Sequence, residues 1–336
     1  MTARALVSVI LPTFNAESTI VAAIKSVLRQ TYSSLELIVI NDGSSDATSS
    51  LITKIASKDS RVKIVSRANR GLIYSLNEGV ELARGQYIAR MDADDICLLS
   101  RLERQVKYID EKNVDLCGTY VRTFGRCVPK TWRYSINPDE AKADLLFNSP
   151  VAHPTVLGRA EVFKQNPYAA EALYVEDYEL WQRLAVQGRR ISNVPEVLLR
   201  YRKSKSQATS AHRREQDIAR LSYAEAFRKK CFPSLKQRWL EILHDRTGTI
   251  NVLEVSALID YVTSEIFGRS PPEVERAVRG AMSNFLIHNS SAASALPRGI
   301  LKAVVGRRKT LLIKSLDAVG LTPLRKERWQ YLYYLR

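Results

Sequence analysis

The sequence predicts an α/β protein with a mostly parallel central sheet flanked by helices, followed by a helical C-terminal extension. Two observations predict this fold class. In the first hundred residues, four apolar runs alternate with three segments of helical periodicity, which is the rhythm of a parallel sheet with helices on both faces. From Gln207 to the end, the pattern is almost wholly helical. We therefore expect an α/β domain over residues 1–205 and a mostly helical, basic region over residues 206–336.

The elements of the first domain follow one another in a regular order. Its strands read as continuous apolar runs, because strands of a parallel sheet are buried on both faces. In chain order, the sequence predicts strand 6–12, helix 17–30, strand 35–41, helix 46–59, strand 61–66, helix 71–83 and strand 86–91. After a mixed stretch, it predicts a helix over 174–188 and then a strand, a turn and a second strand over 191–202.

The positive charge of the chain is concentrated toward its C-terminal end. The 336 residues carry a net charge of +16, but residues 1–110 hold 14 Lys and Arg against 12 Asp and Glu, whereas residues 298–336 hold 10 against 2. A basic tail of this kind can bind nucleic acid, an anionic membrane surface or an anionic substrate, or can be a solvated face. No nucleic-acid motif accompanies it, so we expect no nucleic-acid partner.

The sequence contains no membrane or export signal that we recognise. No apolar run approaches the ~20 residues of a membrane-spanning helix, and the N-terminal apolar run ends at Pro12, too early for a signal peptide. The four cysteines show no CxxC spacing, which is typical of reduced thiols. We therefore expect a cytoplasmic protein.

Polar loops follow three of the predicted strands, and these loops are PTFN at 12–15, NDGSSD at 41–46 and DADD at 92–95. The ligand site of an open α/β sheet lies beyond the carboxyl ends of its strands. Asp92 and Asp94 offer the hard oxygen donors that suit Mg²⁺ or Mn²⁺, and such an ion would neutralise a diphosphate leaving group. The alternative is an acidic turn, with Asp95 at the N-terminus of the next helix.

The second of these loops is open to two interpretations. Asp42 could accept a hydrogen bond from a nucleobase, and Gly43 permits a tight turn. The alternative is a plain β-turn followed by a helix N-cap at Asp46. Neither GxGxxG nor GxxxxGK[ST] occurs in the chain, which argues against a dinucleotide-binding or P-loop protein.

Two further positions are candidates for chemistry. Glu176 and Asp177 begin a predicted amphipathic helix, where acids favour the helix dipole but where a carboxylate could also act as a general base. His153, in SPVAHPTVLG, is either a structural histidine or a residue of the site.

Taken together, these blocks resemble the family 2 glycosyltransferases. The resemblance runs from about Val7 to Arg202. It rests on the order and spacing of VSVILPTFNAESTIVAAIKSVLRQTYSSLELIVINDGSSDAT, NRGLIYSLNEGVELARGQYIARMDADD, HPTV, EDYELWQRL and YR. It implies the GT-A fold, with a nucleotide-binding half over residues 1–112 and an acceptor-side half over residues 113–205.

The resemblance also implies roles for individual residues. Asp177 would be the catalytic base, Asp94 would hold the metal with Asp92, and Asp92 would also contact the ribose or the diphosphate. His153, Glu176 and Arg202 would lie on the acceptor or diphosphate side. The nucleotide, with uracil as the expected base, would contact Pro12, Thr13, Phe14, Glu17, Asp42, Asn69, Asn77 and Asp92.

The chain departs from the family pattern after Tyr201-Arg202. Many members carry a histidine two residues later, near the diphosphate and metal, whereas this chain continues with Lys203 and Ser204. Phosphate oxygens and water would then complete the metal coordination, or Arg202, Lys203 or Lys205 would supply positive charge.

The function implied is an inverting, metal-assisted glycosyltransferase. It would move a sugar from a nucleotide-diphosphate sugar, expected to be UDP-linked, to a hydroxyl of a growing bacterial surface glycan, which could be lipid-linked. The alternatives are a sugar-nucleotide nucleotidyltransferase and a catalytically silent GT-A scaffold or binding protein. The first is disfavoured because PTFN follows the first strand in place of a Gly-rich basic loop; the second is disfavoured because Asp42, Asp92, Asp94 and Asp177 are all present.

The tail suggests where such an enzyme would act. Over residues 300–319, apolar residues recur at helix spacing with five Lys and Arg residues between them. A basic amphipathic helix can lie on an anionic bilayer, which predicts peripheral attachment to the inner face of the cell membrane. Alternatively, the same apolar stripe packs on the catalytic domain or on a second copy of the chain in a homo-oligomer.

Overall fold

The computed structural model describes residues 4–203, 213–233, 261 and 270–288. Its contacts divide the chain into two units, one of residues 1–142 and 149–220 and one of residues 143–148 and 221–336. The predicted boundary at residue 205 stays a prediction, because residues 204–212 lie outside the described part of the chain.

The first half of the first unit alternates strands and helices as the sequence predicts. Every residue of the strands β1 and β2 is buried, which explains their unbroken apolar runs. The elements are β1 (Val7–Thr13), α1 (Ile20–Leu28), β2 (Leu35–Asp42), α2 (Thr48–Ala56), β3 (Val62–Arg67), α3 (Leu72–Leu82) and β4 (Tyr87–Arg90).

The second half is more irregular. After β5 (Ile96–Cys97) and α4 (Arg101–Lys112) come β6 (Leu116–Gly125), β7 (Thr131–Trp132) and α5 (Pro138–Asp144). A short 3₁₀ turn at His153–Thr155 leads to β8 (Leu157–Arg159), α6 (Ala160–Gln165), α7 (Glu176–Val186) and β9 (Ile191–Lys203). The predicted helix over 174–188 is confirmed as α7.

The nine strands of the described residues form one sheet in the order β3-β2-β1-β4-β8-β6-β9-β5, with β7 paired to β6. The pairs β3–β2, β2–β1, β1–β4 and β6–β9 are parallel, whereas β8 runs antiparallel to both of its neighbours. The predicted α/β class is therefore confirmed. Strands β2, β1 and β4 lie side by side and parallel, so the loops that follow them leave the same edge of the sheet.

The prediction of a strand, a turn and a second strand over 191–202 is wrong. Residues 191–203 form the single strand β9. Its partners jump from Val194↔Thr119 to Val197↔Tyr120, so Pro195 and Glu196 form a bulge in the ladder. Proline has no N–H to donate, and a bulge accommodates it without ending the strand.

The C-terminal extension is helical where it is described. Helix α8 runs over Arg213–Cys231 and α9 over Pro272–His288. In the second unit, α9 buries Val274, Ala277, Val278, Ala281 and Met282. No helix in the described part of the chain has the length and apolar character of a membrane span. The tail over residues 298–336 lies outside the described residues.

Candidate active site

The loops after β1 and β2 are joined by reciprocal hydrogen bonds. The Asn15 N–H donates to Ser44 Oγ at 3.0 Å, and the Ser45 N–H donates to Asn15 Oδ1 at 2.9 Å. Glu17 accepts from the Ala47 N–H at 2.9 Å, directly before α2 begins. The predicted nucleotide-pocket residue Glu17 therefore also helps to hold the second loop in place.

Asp42, the last residue of β2, organises the connection between β3 and α3. Its buried carboxylate accepts hydrogen bonds from the Arg67 guanidinium, from the Arg70 N–H at 2.8 Å and from the Gly71 N–H at 2.9 Å. The Asn69 amide donates to the Asp42 carbonyl oxygen at 2.9 Å. The structure thus brings together Asp42 and Asn69, two predicted nucleotide contacts.

The other predicted nucleotide residues differ in how they are placed. Pro12 and Thr13 are buried at the end of β1, and Thr13 Oγ1 has no hydrogen-bond partner among the described residues. The Phe14 ring is 53% exposed, so it can stack against a flat ring. Asn77 is held elsewhere: its amide exchanges two hydrogen bonds with the Tyr168 main chain, at 2.9 and 2.8 Å.

Three carboxylates cluster in the loop after β4. The candidate ligand atoms of Asp92, Asp94 and Asp95 lie within 4.8 Å of one another. Burial and the charge of Asp92 raise the pKa of Asp94 to about 6. The pKa of Asp95 is raised well above its ordinary value by burial and by Asp92 and Asp94. Crowded like charges of this kind are relieved by a bound cation.

Strand β9 supports this loop from the side. The Arg202 N–H donates to Asp95 Oδ1 at 2.8 Å, and Arg202 Nε donates to the Asp94 carbonyl oxygen at 2.7 Å. Asp95 Oδ2 is buried and has no hydrogen-bond partner among the described residues. Three oxygen donors in close reach, one of them unsatisfied, fit a hard divalent cation such as Mg²⁺ or Mn²⁺. The sequence prediction assigns the metal to Asp92 and Asp94 and names Asp95 only in the alternative, as an acid at a helix N-terminus; its position next to Asp94 is the signal that could have added it.

Arg90 is a buried cation at the centre of the acidic residues. Its guanidinium pairs with Asp92 at 2.6 Å and is 6% exposed, while Nε and Nη1 have no hydrogen-bond partner among the described residues. Buried donors without partners are costly unless a ligand satisfies them. No local pattern in the sequence indicates this role, because burial of a strand-end arginine depends on the tertiary fold.

The second acidic group lies on the first turn of α7. Burial and the neighbouring charge of Asp177 raise the pKa of Glu176 to about 7. Burial also raises the pKa of Asp177, against the opposing charges of Arg220 and Arg90. Asp177 Oδ1 accepts the Tyr178 N–H at 2.7 Å. Because the charge of Arg90 reaches both this pair and the Asp94–Asp95 loop, the two acidic groups share one electrostatic environment.

His153 is packed beside α7. Its Nε2 lies 3.0 Å from the Tyr168 hydroxyl, and its ring meets Trp181 edge-on at 5.9 Å between centroids. Burial and the charge of Arg90 hold the pKa of His153 well below its ordinary value. The imidazole is therefore neutral at pH 7, and its predicted place on the acceptor or diphosphate side stays a prediction.

The end of β9 presents cations on aromatic rings. The Lys203 ammonium lies 4.8 Å from the Trp132 ring centroid and 5.1 Å from that of Tyr201, and burial lowers its pKa. Arg202 stacks 4.5 Å over Phe124. Lys203 has no carboxylate within ion-pair distance in the described ranges, so its charge is available to an anion.

The fold and the sequence both resemble those of glycosyltransferases with the GT-A fold. The sequence pattern of Glycosyl transferase family 2 matches residues 8–166. A relative from Haemophilus influenzae, described as an uncharacterized glycosyltransferase, is 35% identical over 226 residues, which cover 63% of this chain and 70% of that one. The chain belongs to glycosyltransferase family 2.

Other similarities differ in extent. The O-antigen biosynthesis glycosyltransferase WbnJ of Escherichia coli is 33% identical over 204 residues, covering 59% of this chain and 79% of that one. A Rickettsia bellii glycosyltransferase is 34% identical over 183 residues, and the match covers 53% of this chain and only 26% of that one.

Solved structures share the fold at low identity. The Staphylococcus aureus protein TarS, residues 1–349, solved with UDP, superposes with a TM-score of 0.55 at 19% identity, covering 94% of this chain and 92% of that one. The mannosyltransferase PcManGT from Pyrobaculum calidifontis, in complex with GDP-Man and Mn²⁺, gives a TM-score of 0.54 at 17% identity, covering 95% and 88%.

Proposed function

We propose that the protein is an inverting glycosyltransferase that moves a sugar from a nucleotide-diphosphate sugar to a hydroxyl of a glycan. The observation that carries this proposal is the pair of acidic groups, Asp92–Asp94–Asp95 and Glu176–Asp177, around the buried cation Arg90. One group suits a metal and a diphosphate, and the other suits proton removal from an acceptor. Both are needed for a single displacement at the anomeric carbon.

Each side chain has a separate task in this proposal. Asp177 accepts the proton of the acceptor hydroxyl, and its bond to the Tyr178 N–H fixes its orientation. Asp94 and Asp92, with Asp95, would hold Mg²⁺ or Mn²⁺, and a bound divalent ion supplies positive charge to the departing diphosphate. Lys203 and Arg202 add positive charge at the end of β9, in place of the histidine expected there.

The identity of donor and acceptor is the finer part of the proposal. A UDP-linked donor is supported by TarS, which was solved with UDP and with UDP-GlcNAc, although PcManGT was solved with GDP-Man. Phe14 and Asp42 would contact the base. A bacterial surface glycan as acceptor is supported by the O-antigen relative from Escherichia coli. Attachment of the enzyme to the inner membrane face and a homo-oligomeric state remain predictions.

A donor panel tests the proposal. UDP-, GDP- and dTDP-sugars are incubated with the full chain and Mn²⁺, and binding, slow hydrolysis and the released products are measured. We expect release of a nucleoside diphosphate from at least one donor; release of pyrophosphate would instead favour a nucleotidyltransferase. If a folded protein neither binds nor hydrolyses any of these donors, the proposed function is wrong.

The metal role has its own test. Asp94→Ala should abolish turnover and weaken Mn²⁺-dependent nucleotide binding, because it removes one oxygen donor from the cluster. Asp139→Ala, at an exposed position in the first turn of α5, is the matched control and should behave as the wild type. Activity that survives both Asp94→Ala and EDTA contradicts a metal at this site.

A further inference from the structure

Helix α8 contacts the loop that leads into α7, the helix that carries Glu176 and Asp177, although α8 lies beyond the segment that matches the family. Gln216 Nε2 donates a hydrogen bond to the Tyr174 carbonyl oxygen at 2.9 Å. Tyr174 has a left-handed backbone with φ of 69°, which costs a bulky residue energy unless its surroundings hold it. It lies two residues before α7 begins. Gln216 therefore stabilises the turn from which the Glu176–Asp177 pair starts.

Arg220 makes a second contact from the same face of α8. Residues four apart lie on one side of a helix, so Gln216 and Arg220 point the same way. The Arg220 guanidinium lies 5.0 Å from the centroid of the Tyr178 ring. The two contacts thus bracket Asp177, one before it at Tyr174 and one after it at Tyr178.

The positive charge of Arg220 acts on Asp177. The side chain is half-buried, and no carboxylate of the described residues lies within ion-pair distance of it. Among the described residues, the titratable groups that act on Asp177 include Glu176 on its own helix, Arg90 from β4, Tyr168 from the preceding loop, Tyr178 and Arg220. Arg220 is the largest of the influences that oppose the effect of burial on the Asp177 pKa.

We infer that Arg220 is a positioning residue for Asp177, supplied by a helix outside the matched family segment, and that it orients this carboxylate and favours its ionised form. The contacts stand by themselves; only the consequence for catalysis rests on the proposed function. Removal of Arg220 leaves Arg90 as the one nearby cation among the groups named above, and Arg90 is already paired with Asp92.

A titration that needs no substrate tests the inference. The full chain is labelled with ¹³C at the aspartate side-chain carboxyl carbons, the Asp177 signal is assigned by its loss in Asp177→Asn, and its pKa is followed by NMR. Arg220→Gln should raise the pKa of Asp177 by about one unit, because an opposite charge is lost beside a buried carboxylate. Arg220→Lys keeps the charge and should restore most of the wild-type value.

Lys230→Gln is the matched control. It removes one positive charge from an exposed position near the end of the same helix and should leave the Asp177 titration unchanged. If Asp177 titrates alike in wild type, Arg220→Gln and Lys230→Gln, the inference is wrong, whatever the enzyme turns over. Should Arg220→Gln fail to fold, the comparison moves to Gln216→Leu, which releases the anchoring hydrogen bond and should raise the same pKa by less.

A measurement of enzyme activity against pH separates this inference from the proposed function. The pH profile of kcat is measured with UDP-GlcNAc or with the panel donor that is hydrolysed fastest. In Arg220→Gln the acid limb should move up by about one pH unit, so the rate at a pH below the limb should fall about tenfold. A loss of rate with an unmoved limb indicates a purely structural helix and overturns the inference. Full activity in Asp177→Asn would instead refute the proposed base and leave the NMR result standing.

Discussion

Asp177 and Glu176 are adjacent carboxylates in one turn, yet their environments differ. Burial raises the pKa of both, but Asp177 accepts a main-chain N–H and lies near the charge of Arg220, whereas the pKa of Glu176 is raised to about 7 by burial and by Asp177 itself. A carboxylate that is held in one orientation, and whose ionised form a nearby cation favours, is suited to accept a proton. This difference favours Asp177 as the base.

We therefore expect Asp177→Asn to reduce kcat by roughly 10²–10⁴-fold, the usual contribution of a general base, while the Kd for nucleotide stays within about twofold. Steady-state turnover and nucleotide titration measure the two effects. Glu176→Gln is the matched comparison and should cost less. Normal turnover in Asp177→Asn together with a large loss in Glu176→Gln would assign the base to Glu176.

At the scale of residues, the sequence predicts the roles of side chains that stand at the end of a strand or at the start of a helix. Asp92 and Asp94 follow a buried strand and Asp177 begins an amphipathic helix, and both places can be read from local pattern. Arg90 and Arg220 cannot be found in this way. Their roles depend on burial and on contacts between distant segments, which leave no local signal. The nucleotide contact of Asn77 stays a prediction, and in the structure its amide exchanges hydrogen bonds with the Tyr168 main chain.

At the scale of elements, the turn after β2 depends on a glycine. Gly43 has φ of 78°, and a Cβ placed there would lie 2.6 Å from the Asn69 nitrogen. Gly43→Ala should therefore destabilise the protein by more than the ~1–2 kcal/mol of a left-handed alanine and weaken nucleotide binding through displacement of Asp42 and Asn69. Unfolding midpoints and nucleotide titration measure both effects.

Gly188 supplies the control for this change. It has nearly the same φ, 79°, but a Cβ there meets nothing within 4 Å. Gly188→Ala should lower the free energy of unfolding only by the cost of a left-handed alanine backbone, and it should leave nucleotide affinity unchanged. Equal losses in the two variants would mean that the close approach of Asn69 to Gly43 has no consequence.

Strand β2 is tied to its neighbours by a buried carboxylate. Burial by itself would raise the pKa of Glu36, but hydrogen bonds from Lys63, Ser8 and Arg84 outweigh it and lower the pKa to about 2. Because the pKa is lower in the folded state, the stabilisation is present above pH 4.5 and is lost as the pH falls toward 2. A shift of this size corresponds to about 3 kcal/mol.

Glu36→Gln should accordingly lower the free energy of unfolding by about 2–3 kcal/mol at pH 7, and its difference from wild type should shrink as the pH falls below 4.5. Denaturant unfolding at several pH values gives both numbers. Glu111→Gln, in an exposed i,i+4 pair with Lys107, should change stability by less than ~0.5 kcal/mol. A loss for Glu36→Gln that does not vary with pH contradicts the charge argument.

The elements themselves were well predicted where one periodicity governs a segment. The four strands of the parallel half begin and end within one residue of their predicted bounds, because burial on both faces gives an unbroken apolar run. Strand β9 was divided wrongly because Pro195 reads locally as a turn. Its actual conformation is set by pairing with the distant strand β6, and the extra residues Pro195 and Glu196 form a bulge in β9.

At the scale of the whole molecule, the first structural unit extends past the family match. The matched segment ends at residue 166, whereas α7, the cationic end of β9 and the first turns of α8 follow it within the same unit. The matched segment holds the residues that we propose for the nucleotide and the metal. The later segments carry Asp177, the proposed base, and the two side chains of α8 that we propose position it.

The basic tail gives the last prediction, which rests on the sequence because residues 298–336 lie outside the described residues. Lys and Arg residues alternate there with an apolar stripe at helix spacing, and each basic residue adds ~1 kcal/mol of binding near an anionic surface. The full chain should therefore sediment with vesicles of phosphatidylglycerol and phosphatidylcholine at low salt and be released at high salt.

Combined replacement of Arg307, Arg308 and Lys309 by Glu should abolish this binding, whereas the same change at the exposed residues Lys54, Lys58 and Lys112 should weaken it far less. Equal behaviour of the two triple variants would show that the tail does not contact the membrane and would favour its packing within the protein or against a second copy of the chain.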